Sequence, residues 1–310
     1  MKAIVSGGAG FIGSHLCEKL LDRGDEVICI DNFITGDYRN IKGLIEKYPK
    51  NFRLIEHDIT LPIDSGSFVD IDWIFHLACP ASPVDYAKLP LQTLWVNAAG
   101  TKNMLELANR FNAGFFLASS SEVYGDPEVH PQHEEYLGNV NQLGPRSCYT
   151  EGKRFAETLA VNYFEHFQFP LVIARIFNVY GPRMRKNDGR VVPSFLESAM
   201  NGEPLSVYGN GNQSRSFCYV DDIVNGILLS TGNDKYYGPI NLGNPEEISI
   251  LELAKKIIKL SNSESMIQYL EARVDDPVRR KPDISKAKKL FGFEPKIGID
   301  SGLDFILNLK

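Results

Sequence analysis

The sequence predicts an α/β fold: a doubly wound parallel sheet with a smaller C-terminal substrate lobe. Three observations carry this expectation. Short apolar, β-rich runs alternate with amphipathic helical stretches through the first half, the pattern of βα units that place helices on both faces of a parallel sheet. A glycine-rich turn follows the first of those runs. After about residue 176 the regularity loosens, and Gly181-Pro182, Gly202, Pro204, Gly209 and Gly211 punctuate the chain as in an irregular second lobe. The expected units are residues 1–175, which carry the sheet, and residues 176–310, part of which threads back onto it.

Taken in order, strands are expected at 3–6, 27–30, 52–56, 73–76, 115–118 and 171–175. Each is a short run rich in apolar residues and bounded by polar or turn-forming ones. Helical periodicity fills the gaps at 14–23, 91–110 and 149–167, and returns at 191–200, 221–231 and 249–261. The 310 residues suit one large domain with a small lobe and little more.

Composition narrows the class. Hydrophobic residues make up 43% and charged residues 23%, ordinary globular usage. A formal net charge of -6 gives no reason to expect nucleic acid or an anionic membrane as partner. An acidic chain that binds an anion must concentrate positive groups locally, so arginines beside motifs carry weight. The first strand begins almost at Met1, which leaves no room for a signal peptide, and no apolar run approaches the roughly 18 residues of a membrane span. A cytoplasmic location is therefore expected. Cys17, Cys29, Cys79, Cys148 and Cys218 are widely spaced and form no CxxC. Buried thiols are expected, with no disulfide, zinc or other metal site.

The first βα turn reads Gly7-Gly8-Ala9-Gly10-Phe11-Ile12-Gly13 and leads into a helix. It fits both GxxGxxG and GxGxxG, whose glycines let the backbone approach a pyrophosphate held at the helix N-terminus. Asp31 closes the next strand, where an acid bonds the adenine ribose 2′-hydroxyl and repels a 2′-phosphate. Strand, turn, helix and acid together are the Rossmann dinucleotide-binding arrangement and point to NAD. His57-Asp58-Ile59 follows the third strand and His76-Leu77-Ala78-Cys79-Pro80 closes the fourth. Strand ends of this kind line the ligand crevice; Asp58 can accept from the adenine amino group, while His76 reads as a structural histidine.

Tyr149 and Lys153 stand at i and i+4, on one face of a helix. An adjacent ammonium and a nicotinamide cation both favour phenolate, so the pair makes a general base. Tyr38 and Lys42 have the same spacing. Position separates them: Tyr38 lies in the loop beyond Asp31, whereas Tyr149 follows Ser119-Ser120-Ser121-Glu122-Val123-Tyr124-Gly125 at the end of the fifth strand.

With these features the chain resembles the extended short-chain dehydrogenase/reductase family, the NAD-dependent epimerases and dehydratases, over nearly its whole length. Within that family it is most similar to the UDP-glucuronate decarboxylases (UDP-xylose synthases). The segments that carry this are 76–83, 121–127, 146–149, 175–178, 180–184, 188–192, 213–220 and 276–283. The resemblance implies a triad of Ser120, Tyr149 and Lys153, with Glu122 organising water and sugar hydroxyls near C5 and Arg280 reaching the substrate. It implies an NAD site of Gly7, Gly10, Phe11, Ile12, Gly13, Asp31, Asn32, Asp58, Ile59, Leu77, Ala78 and Asn97, together with Tyr149 and Lys153. For a UDP-sugar it implies Pro80, Tyr86, Asn178, Arg190, Val191, Tyr208, Arg215 and Arg280.

The reaction implied is C4 oxidation of UDP-glucuronate, loss of CO2 and re-reduction to UDP-xylose. Its rivals on this scaffold are a nucleotide-sugar 4,6-dehydratase, which typically has an Asp-Glu pair where this chain has Ser121-Glu122, and a 4-epimerase, which usually lacks the carboxylate. A non-catalytic NAD-binding sensor would not need the intact triad. One departure stands out: the decarboxylases commonly carry lysines just before the asparagine matching Asn97, and here residues 91–96 are Leu-Gln-Thr-Leu-Trp-Val. Apolar faces on helices 91–110 and 149–167 (Leu105, Leu107, Phe155, Leu159, Tyr163) are expected to be exposed and to form a homodimer through a four-helix bundle.

Overall fold

The computed structural model describes residues 1–186, 189–232, 238–272 and 277–309. Asp188 and Asp276, which belong to two of the segments above, lie outside the described residues. Strands β1 (Lys2–Ser6), β2 (Glu26–Asp31), β3 (Phe52–Glu56), β4 (Trp73–His76), β5 (Gly114–Ser120), β6 (Leu171–Ile176) and β7 (Ile240–Leu242) form one sheet in the order β7-β6-β5-β4-β1-β2-β3. Every pairing in it is parallel. The order reverses beside β1, and the crevice at that switch point is where doubly wound sheets bind ligands.

Both faces are covered, as a parallel sheet requires. Ala3, Val5, Cys29, Phe75, Phe116 and Val172 face one way, onto α1 (Phe11–Asp22) and its Leu16 and Leu20. Ile4, Ile28, Ile74, Phe115, Leu117 and Ile173 face the other way, onto α5 (Thr101–Phe111) and α6 (Ser147–Phe167). The period-2 alternation of the strands thus supplies two cores from one set of runs.

The six expected strands of the first half form, several extended by a residue or two. The expected helix 91–110 does not form as one piece. The chain makes α3 (Pro83–Lys88), α4 (Pro90–Trp95), a π turn over Val96–Gly100, and then α5. Pro90 separates α3 from α4, since a proline is accommodated only in the first turn of a helix, and the interruption within 91–110 is the π turn itself. A helix α2 (Arg39–Lys47) that the periodicity did not reveal follows β2.

The expected exposed face needs correction too. Leu105 and Leu107 are buried, because α5 is pressed between the sheet and α6 and its apolar arc is consumed inside the chain. Leu91, Leu94, Trp95 and Phe155 are exposed instead, while Leu159 and Tyr163 are partly buried.

Beyond β6, helices α7 (Val191–Asn201), α8 (Val220–Ser230) and α9 (Ile250–Leu260) accompany short strands. The strand Ser214–Ser216 lies between Glu247–Ser249 and Arg279–Arg280, with Arg215 directly opposite Arg280. Two cations far apart in sequence therefore share one ladder.

Candidate active site

A cavity of about 1110 Å³ opens along the carboxyl ends of β1, β4, β5 and β6 and is roofed by residues 183–186, by side chains between Gly189 and Phe217, and by Arg280. Its floor at one end is the first βα turn. Gly7 has φ +76 and a Cβ there would stand 2.7 Å from the Ala78 backbone; a Cβ on Gly13 would stand 2.1 Å from the Gly7 carbonyl oxygen. These two positions need glycine for the close approach. Helix α1 begins here with Gly10 as its N-cap, no side-chain cap and no acid in its first turn. Its first N–H groups are left for an anion, at the positive end of the helix dipole.

Asp31 is buried at the end of β2, and its carboxylate accepts from the Ala9 and Phe33 N–H groups, each at 2.9 Å. Burial raises its pKa against those two bonds. Asp58 accepts from the Thr60 N–H at 2.9 Å and from the Thr60 hydroxyl at 2.8 Å, with Asn32 at 3.3 Å. Burial opposes ionisation of Asp58, but those bonds outweigh it and its pKa is lowered.

His76 bonds Ser6 Oγ (2.8 Å) through Nδ1 and Thr101 Oγ1 (3.1 Å) through Nε2. Burial and then the charge of Lys153 hold it neutral, with a pKa of about 3. It is a satisfied core histidine spanning β1, β4 and α5.

At the centre of the cavity stand Ser120, Tyr149 and Lys153. Tyr149 and Lys153 lie one turn apart on α6, and Lys153 Nζ sits 5.9 Å from the Tyr149 ring centre while donating to the Ala118 carbonyl at 2.8 Å. Burial pushes the Tyr149 phenol up, and Cys79, Glu122 and Tyr86 add to this, whereas the hydrogen bond with Ser120 favours the ionised form. Tyr86 stacks on Tyr149 with ring centroids 5.2 Å apart and 15° between the planes. Tyr38, by contrast, is exposed at the start of α2 and lies outside the cavity lining.

Glu122 sits where β5 ends. Its carboxylate is bonded by Arg280 Nη1 and faced by Arg146 Nη1 at 3.5 Å. Burial would raise its pKa, but the two guanidinium groups outweigh that and hold the carboxyl below its usual range. Arg280 is itself buried and donates through Nη2 to the Gly125 carbonyl at 3.0 Å.

The chain matches the model of the family described as NAD dependent epimerase/dehydratase over residues 3–243. This chain belongs to the NAD-dependent epimerase/dehydratase family. It is 52% identical over 303 residues to UDP-glucuronic acid decarboxylase 1 of Danio rerio, covering 98% of this chain and 71% of the relative. It is 51% identical to UDP-glucuronic acid decarboxylase 3 of Arabidopsis thaliana, over 100% of this chain and 90% of the relative. Among solved structures it superposes on the UDP-glucuronic acid 4-epimerase of Bacillus cereus in complex with UDP-glucuronic acid and NAD. That match has a TM-score of 0.89 and 31% identity and covers 99% of this chain and 98% of the other. The UDP-glucose 4-epimerase of Thermotoga maritima with UDP-glucose gives 0.89 and 28%, over 99% and 97%.

Within this family member most of the residues singled out in the sequence meet in the one cavity. They include Gly7, Gly10, Phe11, Ile12, Gly13 and Leu77 around the glycine turn, with Tyr86, Asn178, Arg190, Val191, Tyr208, Arg215 and Arg280; the Arg190 guanidinium lies 5.9 Å from the Phe11 ring centre. Pro80, Ala78, Asp31, Asn32, Asp58, Ile59 and Asn97 are outside its lining. Ile59 is buried, and its carbonyl accepts from Asn103 at 2.8 Å. Asn97 is buried in the π turn and donates to the Thr93 carbonyl (2.8 Å) and to Cys79 Sγ (3.2 Å).

Residues 91–96, where the decarboxylases commonly carry lysines, contribute nothing to the lining, and Leu91, Leu94 and Trp95 face outward. Sequence reasoning passed over Arg146, Arg183 and Arg185, which do line the cavity. Arg146 is the N-cap of α6, three residues before Tyr149, and that proximity was the available signal.

Proposed function

We propose that this chain is an NAD-dependent UDP-glucuronate decarboxylase that makes UDP-xylose by C4 oxidation, loss of CO2 and re-reduction. One observation of geometry carries the choice among the chemistries of its family. The carboxylate at the end of β5 is held ionised between Arg280 and Arg146, and its neighbour is the buried hydroxyl of Ser121. A dehydratase must protonate a poor leaving group at C6 and needs an acid there. A decarboxylase needs none, because CO2 leaves as a neutral molecule. The curated relatives at 50–52% identity bear the decarboxylase name.

The residues present fit the cofactor. The uncapped start of α1 and the glycine turn would hold a pyrophosphate, and Asp31 and Asp58 would take the adenosine end. When bound, NAD supplies reversible oxidation at C4 and a positive charge beside the phenol. Tyr149 takes the proton of the C4 hydroxyl, Lys153 favours its phenolate, and Ser120 shares the hydrogen bond.

A 4-ketone turns the C6 carboxylate into a β-keto acid, and Ser120 with Tyr149 would hold the enolate oxygen as CO2 departs. Glu122, ionised, orients the water that protonates C5 rather than giving up a proton itself. Asn178 and Arg215 would hold the diphosphate, with Arg190 and Val191 nearer the nucleoside; guanidinium suits charge-assisted bonds to phosphate.

Residues 1–175 would thus serve the cofactor and 176–310 the sugar nucleotide. Five unpaired cysteines support a reducing compartment such as the cytoplasm, and no helix among the described residues is long and apolar enough to cross a membrane. The outward patch on α4 and α6 supports a homodimer. Carboxyl-labelled UDP-glucuronate tests the activity: labelled CO2 with UDP-xylose is expected, and a 6-deoxy-4-keto sugar from dTDP-glucose without CO2 release would replace this reading with dehydration.

A further inference from the structure

On the face of the sheet covered by α6, a chain of partly buried polar contacts joins the three segments that carry the proposed chemistry. Tyr149, Lys153 and Glu157 form a row at i, i+4 and i+8 along α6. Lys153 grips the Ala118 carbonyl, and one turn further on Ser119 Oγ donates to Glu157 Oε1 at 2.5 Å. Ser119 and Arg175 are direct partners across the β5–β6 ladder. Both reach the same carboxylate: Arg175 donates to it through Nε (3.0 Å) and Nη2 (2.8 Å).

Arg175 Nη1 donates onward to the Tyr124 hydroxyl and the Glu134 carbonyl, each at 3.1 Å. Tyr124 donates to Asn241 Oδ1 at 2.8 Å, and Asn241 Nδ2 donates to the Gln132 and Asp283 carbonyls, each at 3.0 Å. The chain of contacts starts on the helix of Tyr149, runs through the segment of Ser120 and Glu122, and ends three residues from Arg280. Neither Glu157 nor Arg175 lines the cavity.

An ion pair so placed is weak evidence for stability, because desolvation offsets most of its attraction. Its geometric effect is larger. The row of contacts sets where α6 sits along β5, and a misplacement of about 1 Å at reacting groups costs on the order of 10²-fold in rate. We propose that Arg175 and Glu157 are a positioning pair: by gripping Ser119 they fix α6 against β5 and hold the Tyr149 hydroxyl on Ser120. The groups facing Tyr149 are Lys153 on its own helix, Cys79 after β4, Tyr86 on α3, and Glu122 at the end of β5 with Arg146 and Arg280 beyond it.

This rests on the decarboxylase reading for its substrate but not for its spectroscopic arm. In the NAD-loaded protein, tyrosinate absorbance is followed against pH, and the transition absent from Tyr149→Phe is assigned to Tyr149. Glu157→Gln and Arg175→Met are expected to move that transition upward. They should also lower kcat for UDP-glucuronate about tenfold or more, with KM and NAD affinity within about threefold of wild type, since misplacement acts on the reacting groups. Arg175→Lys, which keeps the charge, should fall between.

Should Glu157→Gln not fold, Ser119→Ala removes one bond of the grip without stranding a charge, and the same lower kcat at unchanged KM is expected. Variants that lose melting temperature but turn over at wild-type kcat per NAD-binding site, with the transition unmoved, would overturn the proposal. Because the titration needs no sugar, wild-type inactivity on UDP-glucuronate would strike the decarboxylase reading and leave this arm standing.

Discussion

Tyr149 and Tyr38 both precede a lysine by four positions, and only one of them stands in the cavity: Tyr149 is 6% exposed and Tyr38 49%. Chain order made the right one legible, since the residue after strand five must lie at the carboxyl end of the sheet. Tyr149→Phe is expected to lose turnover by roughly a hundredfold or more, the usual scale of acid–base catalysis, with NAD affinity kept. Tyr38→Phe should keep its activity in the same assay, and reversed effects would refute the assignment. Asp31→Ala should weaken NAD and admit NADP in calorimetry; unchanged relative affinities would count against its role. The clasp of Glu122 by Arg146 and Arg280 was not legible, because 158 positions separate Glu122 from Arg280 and tertiary contacts bring them together: the ladder beside Arg215 and the bonds of residues 281–283 to Gln132.

At the scale of elements, the six strands of the first half were readable because their apolar runs end in polar or turn-forming residues, whereas the three-residue β7 was not. Helix α2 was not read from the sequence: it is only nine residues long, carries Gly43 in its middle and follows a loop rich in turn-forming residues. The π turn over Val96–Gly100 depends on packing between α4, α5 and α6 and leaves no mark in residue types. His76 shows how an element junction governs stability. Its folded pKa, about 3, lies below the ordinary 6.5. Between those values the unfolded chain binds a proton that the folded chain does not, so stability falls as pH drops from about 6.5 toward 3, by up to ~1.4 kcal/mol per unit. Urea unfolding of wild type and His76→Asn at pH 7, 6 and 5 should show a smaller pH slope in the variant. Equal slopes would place the buried charge cost elsewhere.

For the whole molecule, Leu91 (65% exposed), Trp95 (63%) and Phe155 (51%) form the outer surface of α4 and α6, which pack together. An apolar patch of this kind favours a self-complementary interface. Sedimentation should find a dimer for the wild type and a monomer for the pair Trp95→Asp and Phe155→Asp; a monomeric wild type would contradict the proposed dimer.

The central claim is chemical, and proton NMR of the product formed from UDP-glucuronate in deuterium oxide tests it most directly. Loss of CO2 leaves an enolate that must collect one proton at C5 from water near Glu122, so the account predicts UDP-xylose bearing one solvent deuteron at C5. A product that keeps its carboxylate, inverted at C4 and carrying no solvent deuteron, would contradict it.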